Sequence, residues 1–282
     1  MQRTADPVTR WLFLVCGLVM LMVVVGGYVR LARAGLSIVE WNVITGIIPP
    51  IGEEAWQQEF AKYQQSPEYQ QVNVGMTLAE YKRIYYIEYV HRLLARITGL
   101  IVVVPFLYFL WRGSIARAQA GVYAAIVMLF GLQGTVGWLM VKSGLLDRPA
   151  VSHVRLTIHL LLALLILALT LWTALNRFYY AHELVPVRVD SGLSRFILIV
   201  LGALVVQIAY GGFVAGLKAG YVSNTWPLMF GRWVPPKLFS VVQPWWLNLI
   251  ETPVTVQFIH RWLARGSSYC GICRGRSAVG DR

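Results

Sequence analysis

Five apolar segments, each long enough to cross a lipid bilayer, constrain the fold of this chain more than any other feature. The first is an uncharged run of 19 residues at 11–29, and a helix of about 20 apolar residues spans the hydrocarbon layer. Four more candidate helices cover about 85–111, 119–141, 156–176 and 194–216. Charged residues make up only 13% of the chain, against about 25% in soluble domains. The sequence therefore predicts an all-α integral membrane protein with five complete spans.

The distribution of basic residues predicts how these helices are oriented. The net charge is +12, and Arg is concentrated in the N-terminal arm and in the connections after the second and fourth helices. Basic connections remain on the cytoplasmic side. We therefore expect the N-terminus in the cytoplasm of a bacterium or in the mitochondrial matrix, with the protein in the inner (plasma) or mitochondrial inner membrane. No basic face alternates with a soluble core, so the charge does not indicate a nucleic-acid partner.

Three histidines take similar positions in this scheme. A sixth helix begins near residue 252, and the second, fourth and sixth helices all run inward, with His91, His159 and His260 near their outer ends. An ionisable side chain inside a span usually marks function, and imidazoles on neighbouring helices can hold the iron of a haem. The alternative for each His alone is an interfacial hydrogen-bonding residue. His153, in the outer loop, is a secondary candidate.

A repeat supports the functional interpretation. "GGYVRLARAGLSIVEW" at 26–41 resembles "GGFVAGLKAGYVSNTW" at 211–226, and "EYVHRLLAR" at 88–96 resembles "QFIHRWLAR" at 257–265. Duplications of this kind in membrane proteins carry paired sites. The sequence predicts a duplicated four-helix-bundle architecture, with an N-terminal half at 1–180 and an incomplete C-terminal half at 181–265.

The last segment, 266–282, does not continue the repeat. It reads "GSSYCGICRGRSAVGDR", and its charges and length argue against a bilayer span. The repeat predicts the rest of a sixth helix, a seventh and an eighth. We therefore expect a truncated chain or a tail read in a shifted frame, with a natural short form as the alternative. The C-x-x-C of Cys270 and Cys273 lacks partners for a zinc site.

At these motifs the chain resembles the haem A synthase family, in its mitochondrial and related bacterial branch. The resemblance also includes "VRLTIHL" at 154–160 and covers nearly all of residues 10–265. It implies an eight-helix membrane oxidoreductase that oxidises the C8 methyl of haem O to the formyl of haem A for cytochrome oxidase. It implies His91 and His159 in the substrate half, and His260 as an iron ligand of a haem B cofactor in the other half.

Glu88 matches the carboxylate that the family keeps three residues before its first His. Positions 88 and 91 share one helical face, and a desolvated carboxylate near the iron could move protons during oxidation of the methyl group. The alternative is that Glu88 only pairs with Arg92, four residues on. The second half has Gln257 at this position, which fits one reactive site and one electron-transfer site.

Arg92 and Arg261 follow the two repeated histidines directly. Arg forms forked hydrogen bonds with carboxylates, so both are candidate partners of haem propionates, with anchoring to lipid headgroups as the alternative. The tryptophans Trp41 and Trp226 are expected in the interfacial aromatic belt.

Two other functions stay open at this point. The chain could be a bis-His b-type cytochrome or haem carrier without chemistry on the porphyrin, or a porphyrin-free transporter. With one His, the C-terminal half lacks a second axial ligand, which argues against activity of this chain. The expected partners are haem O, a haem O synthase that supplies it, an electron donor, the lipid bilayer and a second copy of the chain.

Overall fold

The computed structural model describes residues 6–42, 45–146, 149–184 and 190–277, with only the backbone for 266–277. Over these residues the chain forms nine α-helices and no β-strand. The helices are α1 (Pro7–Leu31), α2 (Glu53–Gln64), α3 (Pro67–Gln71), α4 (Leu78–Trp111), α5 (Ala120–Leu145), α6 (His153–Ala181), α7 (Ser191–Gly216), α8 (Asn248–Glu251) and α9 (Pro253–Ser277).

The prediction of five spans is confirmed. Within the described part of the chain, α1, α4, α5, α6 and α7 are the helices that are long and apolar enough to cross a membrane. The predicted sixth helix is α9, whose backbone continues to Ser277 rather than ending after Arg265. The chain is therefore an all-α, multi-pass membrane protein. Residues 278–282 of the expected tail lie outside the described residues, as do the side chains of 266–277.

α4 begins earlier than the apolar pattern predicts. Thr77 and Glu80 form a capping box: Thr77 accepts from the backbone N–H of Glu80, and the Glu80 carboxylate accepts from the N–H of Thr77. This box satisfies free donors of the first turn. The helix consequently starts at Leu78, and His91 lies 13 residues after its start rather than in the first two turns.

A proline inside α4 is compensated by a tryptophan of α1. Pro105 has no N–H, so the carbonyl of Ile101, four residues earlier, loses its helical partner. The indole Nε1–H of Trp11 donates to that carbonyl at 2.8 Å. Because a bare carbonyl is costly in a bilayer, this bond joins α1 and α4 as well as tolerating the proline.

The chain divides into two compact units. The first comprises the described residues up to 151 together with 162–184, and the second comprises 152–161 and 190–277. The boundary therefore falls inside α6. The predicted halves, 1–180 and 181–265, are functional assignments and stay predictions.

The first unit has two apolar cores. One lies between the spans and includes Trp11, Leu12, Val102, Phe106 and Ile126. The other is formed where α2 and α3 pack on the extended start of α4. It is rich in aromatic side chains: Trp56, Phe60, Tyr63, Tyr81 and Tyr85. The expected outer segment 31–84 is thus a packed layer rather than an open loop.

An ion pair joins three distant segments of the first unit. Asp6 caps α1 by accepting from the N–H of Val8, and the Arg177 Nε–H donates to both Asp6 oxygens at 3.1 and 3.2 Å. Arg177 also donates to the carbonyl of Ser114 in the α4–α5 connection. Partial burial raises the pKa of Asp6, but bonds from Thr9 and Arg177 outweigh it and hold the pKa below its usual value.

In the second unit, glycines of α7 allow the start of α6 to approach closely. A Cβ on Gly216 would lie 2.3 Å from Cβ of His153, and one on Gly212 would lie 2.5 Å from Oγ1 of Thr157. Glycines four residues apart commonly let transmembrane helices pack at backbone distance.

Asn248 organises the segment before α9. Its Oδ1 accepts from the N–H groups of Val241 and Val242 and from the Thr252 hydroxyl, while its Nδ2 donates to the carbonyls of Val242 and Trp245. Its side chain is fully buried. These bonds fix the direction in which the chain enters α9.

Candidate functional site

The imidazole of His91 packs against a glycine of α1. A Cβ on Gly26 would lie 3.3 Å from Nε2 and 3.8 Å from Cδ2 of His91. A methyl group there would be tighter than ordinary packing allows, so the ring fits because residue 26 has no side chain. The neighbouring Gly27 has no atom within 4 Å of such a position. The close approach is therefore specific to the first glycine of the pair.

His260 has the same relation to α7. A Cβ on Gly211 would lie 3.3 Å from Cε1 and 4.0 Å from Nδ1 of His260. Gly211 corresponds to Gly26 in the sequence repeat. Rotating either ring by 180° about Cβ–Cγ exchanges Nε2 with Cε1 and Nδ1 with Cδ2. The two imidazoles therefore occupy equivalent positions against their glycines, with opposite ring edges facing the helix.

His260 also has a polar neighbour on α7. Nε2 of Gln207 lies 3.2 Å from its Nδ1. Gln207 and Gly211 are one helical turn apart, so both face the same ring. The corresponding residue of the first repeat is Met22.

The turns after α1 and α7 share an unusual backbone. Arg33 and Lys218, at equivalent positions, both have φ of 53°, a left-handed conformation that side chains other than glycine seldom adopt. The next residues, Ala34 and Ala219, are fully buried. The repeat is thus present in the structure at the level of single residues.

A buried ion pair holds the first turn beside His91. Glu88 Oε1 accepts from Arg92 Nη2 at 2.6 Å, and Oε2 accepts from the Ser37 hydroxyl at 2.8 Å and the Ile38 N–H at 2.9 Å. Both side chains are buried, with 2% and 8% exposure. All four contacting atoms belong to protein groups, so the pairing that the anchoring alternative required is present.

Arg92 makes further contacts with the same turn. It donates to the carbonyls of Ile38 at 2.8 Å and Glu40 at 2.9 Å, and its guanidinium lies 4.8 Å from the Trp41 ring centroid. The Glu40 carboxylate pairs with Lys62 of α2 at 3.0 Å, and this bond lowers the pKa of Glu40. Arg92 therefore links α4 to the turn that covers His91.

The second unit repeats part of this arrangement. Arg261 donates to the carbonyl of Thr225, the equivalent of Glu40, and lies 4.9 Å from the ring centroid of Trp226, the equivalent of Trp41. Gln257, in the position of Glu88, donates to the carbonyls of Ser223 and Gly220 at 2.8 and 3.2 Å. A carboxamide can therefore anchor the turn here, without an ion pair.

The two arginines differ in their remaining hydrogen-bonding capacity. Nη1 of Arg261 is buried without a hydrogen-bond partner among the described residues. In contrast, Arg92 uses both terminal nitrogens on carbonyls and on Glu88. A buried cationic donor without a partner is costly, so Arg261 has an unmet need for an acceptor.

His159 and His153 lie on different faces of α6. His153 packs edge-on against Phe213, and its Nε2 lies 3.6 Å from Glu251 Oε1. Thr157, one turn after His153, also contacts α7. His159 is two residues beyond Thr157, about 200° around the helix. It therefore faces away from α7.

Sequence reasoning did not identify three features of these sites. The contacts of Gly26 and Gly211 depend on which glycine of each pair faces the ring, and the repeat does not reveal that. Trp41 and Trp226 were expected only as interfacial residues, but they also stack on the arginines. Gln207 carried a signal, because a polar side chain within a span often marks function.

No cluster of three or more His, Cys, Asp or Glu side chains that could hold a bare metal ion occurs in the described part of the chain.

Comparison with known proteins agrees with these observations. The model of the COX15-CtaA family, described as cytochrome oxidase assembly protein, matches residues 9–273, which is beyond the limit of residue 265 expected from the sequence. A haem A synthase of Wolbachia pipientis subsp. Culex pipiens is 48% identical over 264 residues, covering 92% of this chain and 78% of the relative.

Other relatives give a similar picture. A haem A synthase of Nitrosospira multiformis is 45% identical over 258 residues, covering 92% of this chain and 72% of the relative. One from a Bradyrhizobium species (strain BTAi1) is 46% identical over 265 residues, covering 93% and 72%. No solved structure matches the chain. The family match covers nearly all of the two repeats, and the chain therefore belongs to the COX15-CtaA family of cytochrome oxidase assembly proteins.

Proposed function

We propose that this protein is a haem A synthase, a membrane oxidoreductase that converts haem O into haem A. The reaction oxidises the C8 methyl group of the porphyrin, first to an alcohol and then to a formyl group. The observation that carries the proposal is the repeated arrangement of an imidazole packed against a glycine, beside a turn held by an arginine and a tryptophan. The identity to haem A synthases supports the same conclusion.

The second unit has groups that fit a haem B cofactor. His260 has one ring edge against Gly211 and Gln207, which leaves Nε2 as the nitrogen for an axial bond to iron. The buried Nη1 of Arg261 needs an acceptor, and a propionate carboxylate would satisfy it. When bound, the haem would supply a relay for the electrons removed from the substrate.

For the substrate haem O, we propose His91 as an axial ligand, and His159 stays a predicted second ligand. A turn about Cβ–Cγ directs Nε2 of His91 away from Gly26 without any change of backbone. Arg92 and Glu88 already bind one another and the turn at 37–40. Their contacts support a role in holding that turn beside His91. Proton transfer by Glu88 and propionate binding by Arg92 stay predictions.

The environment of the protein follows from its spans and its function. We propose the inner (plasma) membrane of a bacterium or the mitochondrial inner membrane, with the N-terminus on the cytoplasmic or matrix side, as the basic connections favour. Supply of haem O by a haem O synthase, delivery of electrons by a donor protein and formation of a homo-oligomer are further proposals.

Pigment analysis tests the proposed function. The chain is expressed together with a haem O synthase in a host without its own haem A synthase, and haems are extracted from the membranes. We expect haem A in the extract, and its loss in a His91→Ala variant with unchanged expression.

Two other outcomes correspond to the two alternatives. Purified protein that carries haem O unchanged, without any haem A, would favour a haem carrier or b-type cytochrome. Purified protein without a Soret band would contradict every haem function and favour a porphyrin-free transporter.

A further inference from the structure

The contact between Gln207 and His260 has a consequence for how His260 would bind iron. An imidazole binds iron through an unprotonated nitrogen, and a hydrogen bond at its other nitrogen decides which one that is. Gln207 lies at Nδ1, at 3.2 Å. Gly211 lies against Cε1 on the same edge. The ring is therefore held from α7 on its Nδ1 side, and its Nε2 is directed away from that helix.

The carboxamide of Gln207 can present either end to the ring. Its Oε1 is buried without a hydrogen-bond partner among the described residues, so no other side chain fixes its orientation. With Oε1 turned toward His260, the carboxamide accepts a hydrogen bond from Nδ1–H. That tautomer carries its lone pair on Nε2. The reverse orientation would leave Nε2 protonated and unable to bind iron.

We propose that Gln207 is a positioning residue for the cofactor haem: it holds His260 in the Nε2 tautomer and increases the basicity of its imidazole. This inference depends on the proposed function, in which His260 is an axial ligand. Partners of this kind usually orient metal-bound histidines, and their loss costs about tenfold to a hundredfold in metal affinity. Met22 stands at the equivalent place in the first repeat, so the device distinguishes the two units.

The test is a titration with haem B of the purified 282-residue protein in detergent, in a His91→Ala background that leaves His260 as the repeat histidine. Affinity and midpoint reduction potential are recorded for Gln207, Gln207→Leu and Gln207→Glu. Gln133→Leu is the matched control, because it also removes a carboxamide from a span but lies on α5 in the first unit.

We expect Gln207→Leu to bind haem B about tenfold to a hundredfold more weakly and to have a higher potential, because a less basic imidazole stabilises ferric iron less. Gln207→Glu should keep the affinity and lower the potential, since a carboxylate is a stronger acceptor. A mere packing role predicts the opposite order: Leu would be tolerated, and the buried charge of Glu would not.

Unchanged affinity and potential in Gln207→Leu would overturn the inference, provided that His260→Ala abolishes the haem spectrum. If His260→Ala leaves the spectrum unchanged, the assignment of His260 as a ligand fails instead, and the inference fails with it. The two failures are therefore distinguished by one additional variant.

Discussion

Glu88 and Gln257 occupy the same position of the repeated His–Arg phrase, yet they hold their turns differently. Glu88 accepts from Arg92, Ser37 and Ile38, whereas Gln257 donates to two carbonyls. The first turn therefore depends on a buried charge, and the second does not. Removing one member of a buried ion pair leaves the other uncompensated, which is strongly destabilising.

We expect Glu88→Gln to lower the free energy of unfolding by about 3 kcal/mol, while conversion of each bound haem O is largely retained. The reason is that both carboxylate oxygens already serve the turn. Thermal unfolding in detergent and haem analysis would measure the two effects. Glu80→Gln is the control, since it removes a carboxylate from α4 outside this network. Normal stability with conversion reduced by about 10²–10⁴-fold would instead assign proton transfer to Glu88.

Gly26 offers a second prediction at this scale, with its neighbour as the control. In Gly26→Ala the new Cβ would lie 3.3 Å from His91 Nε2, whereas Gly27→Ala meets no atom within 4 Å. We expect Gly26→Ala to displace the imidazole and reduce haem O binding severalfold, with Gly27→Ala unchanged. Difference spectra of a haem titration would measure both. Equal effects of the two substitutions would show that the contact with His91 is unimportant.

At the scale of elements, α4 combines a proline with an early start. Both features depend on single side chains: Trp11 satisfies the carbonyl freed by Pro105, and the capping box begins the helix at Leu78. The T-x-x-E pattern of that box is visible in the sequence. The partner of Ile101 is not, because it comes from a residue 90 positions away.

A double-mutant cycle tests the role of Trp11. Trp11→Phe should destabilise the protein by about 1–3 kcal/mol, because the Ile101 carbonyl loses its donor. In a Pro105→Ala background, residue 105 supplies an N–H to that carbonyl, so the same change should cost about 1 kcal/mol less. Unfolding of purified protein in detergent and SDS measures all four variants. Additive effects would contradict this explanation.

At the scale of the whole molecule, long-range contacts join segments that are far apart in sequence. Arg177 connects Asp6 and Ser114, which belong to the start of the chain and to the α4–α5 connection. All three positions lie at helix ends on one side of the first unit. Such contacts tie the spans together at their ends, where water and headgroups would otherwise compete for the polar groups.

The low pKa of Asp6 predicts a pH dependence. Because its pKa is depressed in the folded protein, the ion pair stabilises the fold above the unfolded pKa of about 3.9. This contribution disappears as the pH falls through the folded pKa. We therefore expect the melting temperature to fall less steeply with acidification in Asp6→Asn than in the unchanged protein.

Arg177→Gln should flatten the acid limb in a similar way, since it removes the cation that lowers the pKa of Asp6. Melting curves from pH 7 to pH 3 would measure the three slopes. Identical acid limbs for all three proteins would show that the pair does not contribute to stability.

Much of the fold was predictable because it depends on local pattern. Apolar length determines the spans, and the repeated phrases identify equivalent residues such as Arg92 and Arg261. The start of α4, the packed layer of α2 and α3, and the Gln207 contact were missed. These depend on tertiary partners or on helix rotation, which the repeat alone does not specify. The roles of His91, His159, His260, Glu88, Arg92 and Arg261 stay predictions of the sequence.

Gly216 limits how far the two units can be exchanged. Its counterpart in the first repeat is Leu31, which is 84% exposed, whereas Gly216 admits the backbone of His153. A chimera that carries 26–31 in place of 211–216 would put an isobutyl group where only hydrogen fits. Descent from a common ancestral segment has therefore not kept the two copies interchangeable, since one glycine has made the later copy dependent on the helix beside it.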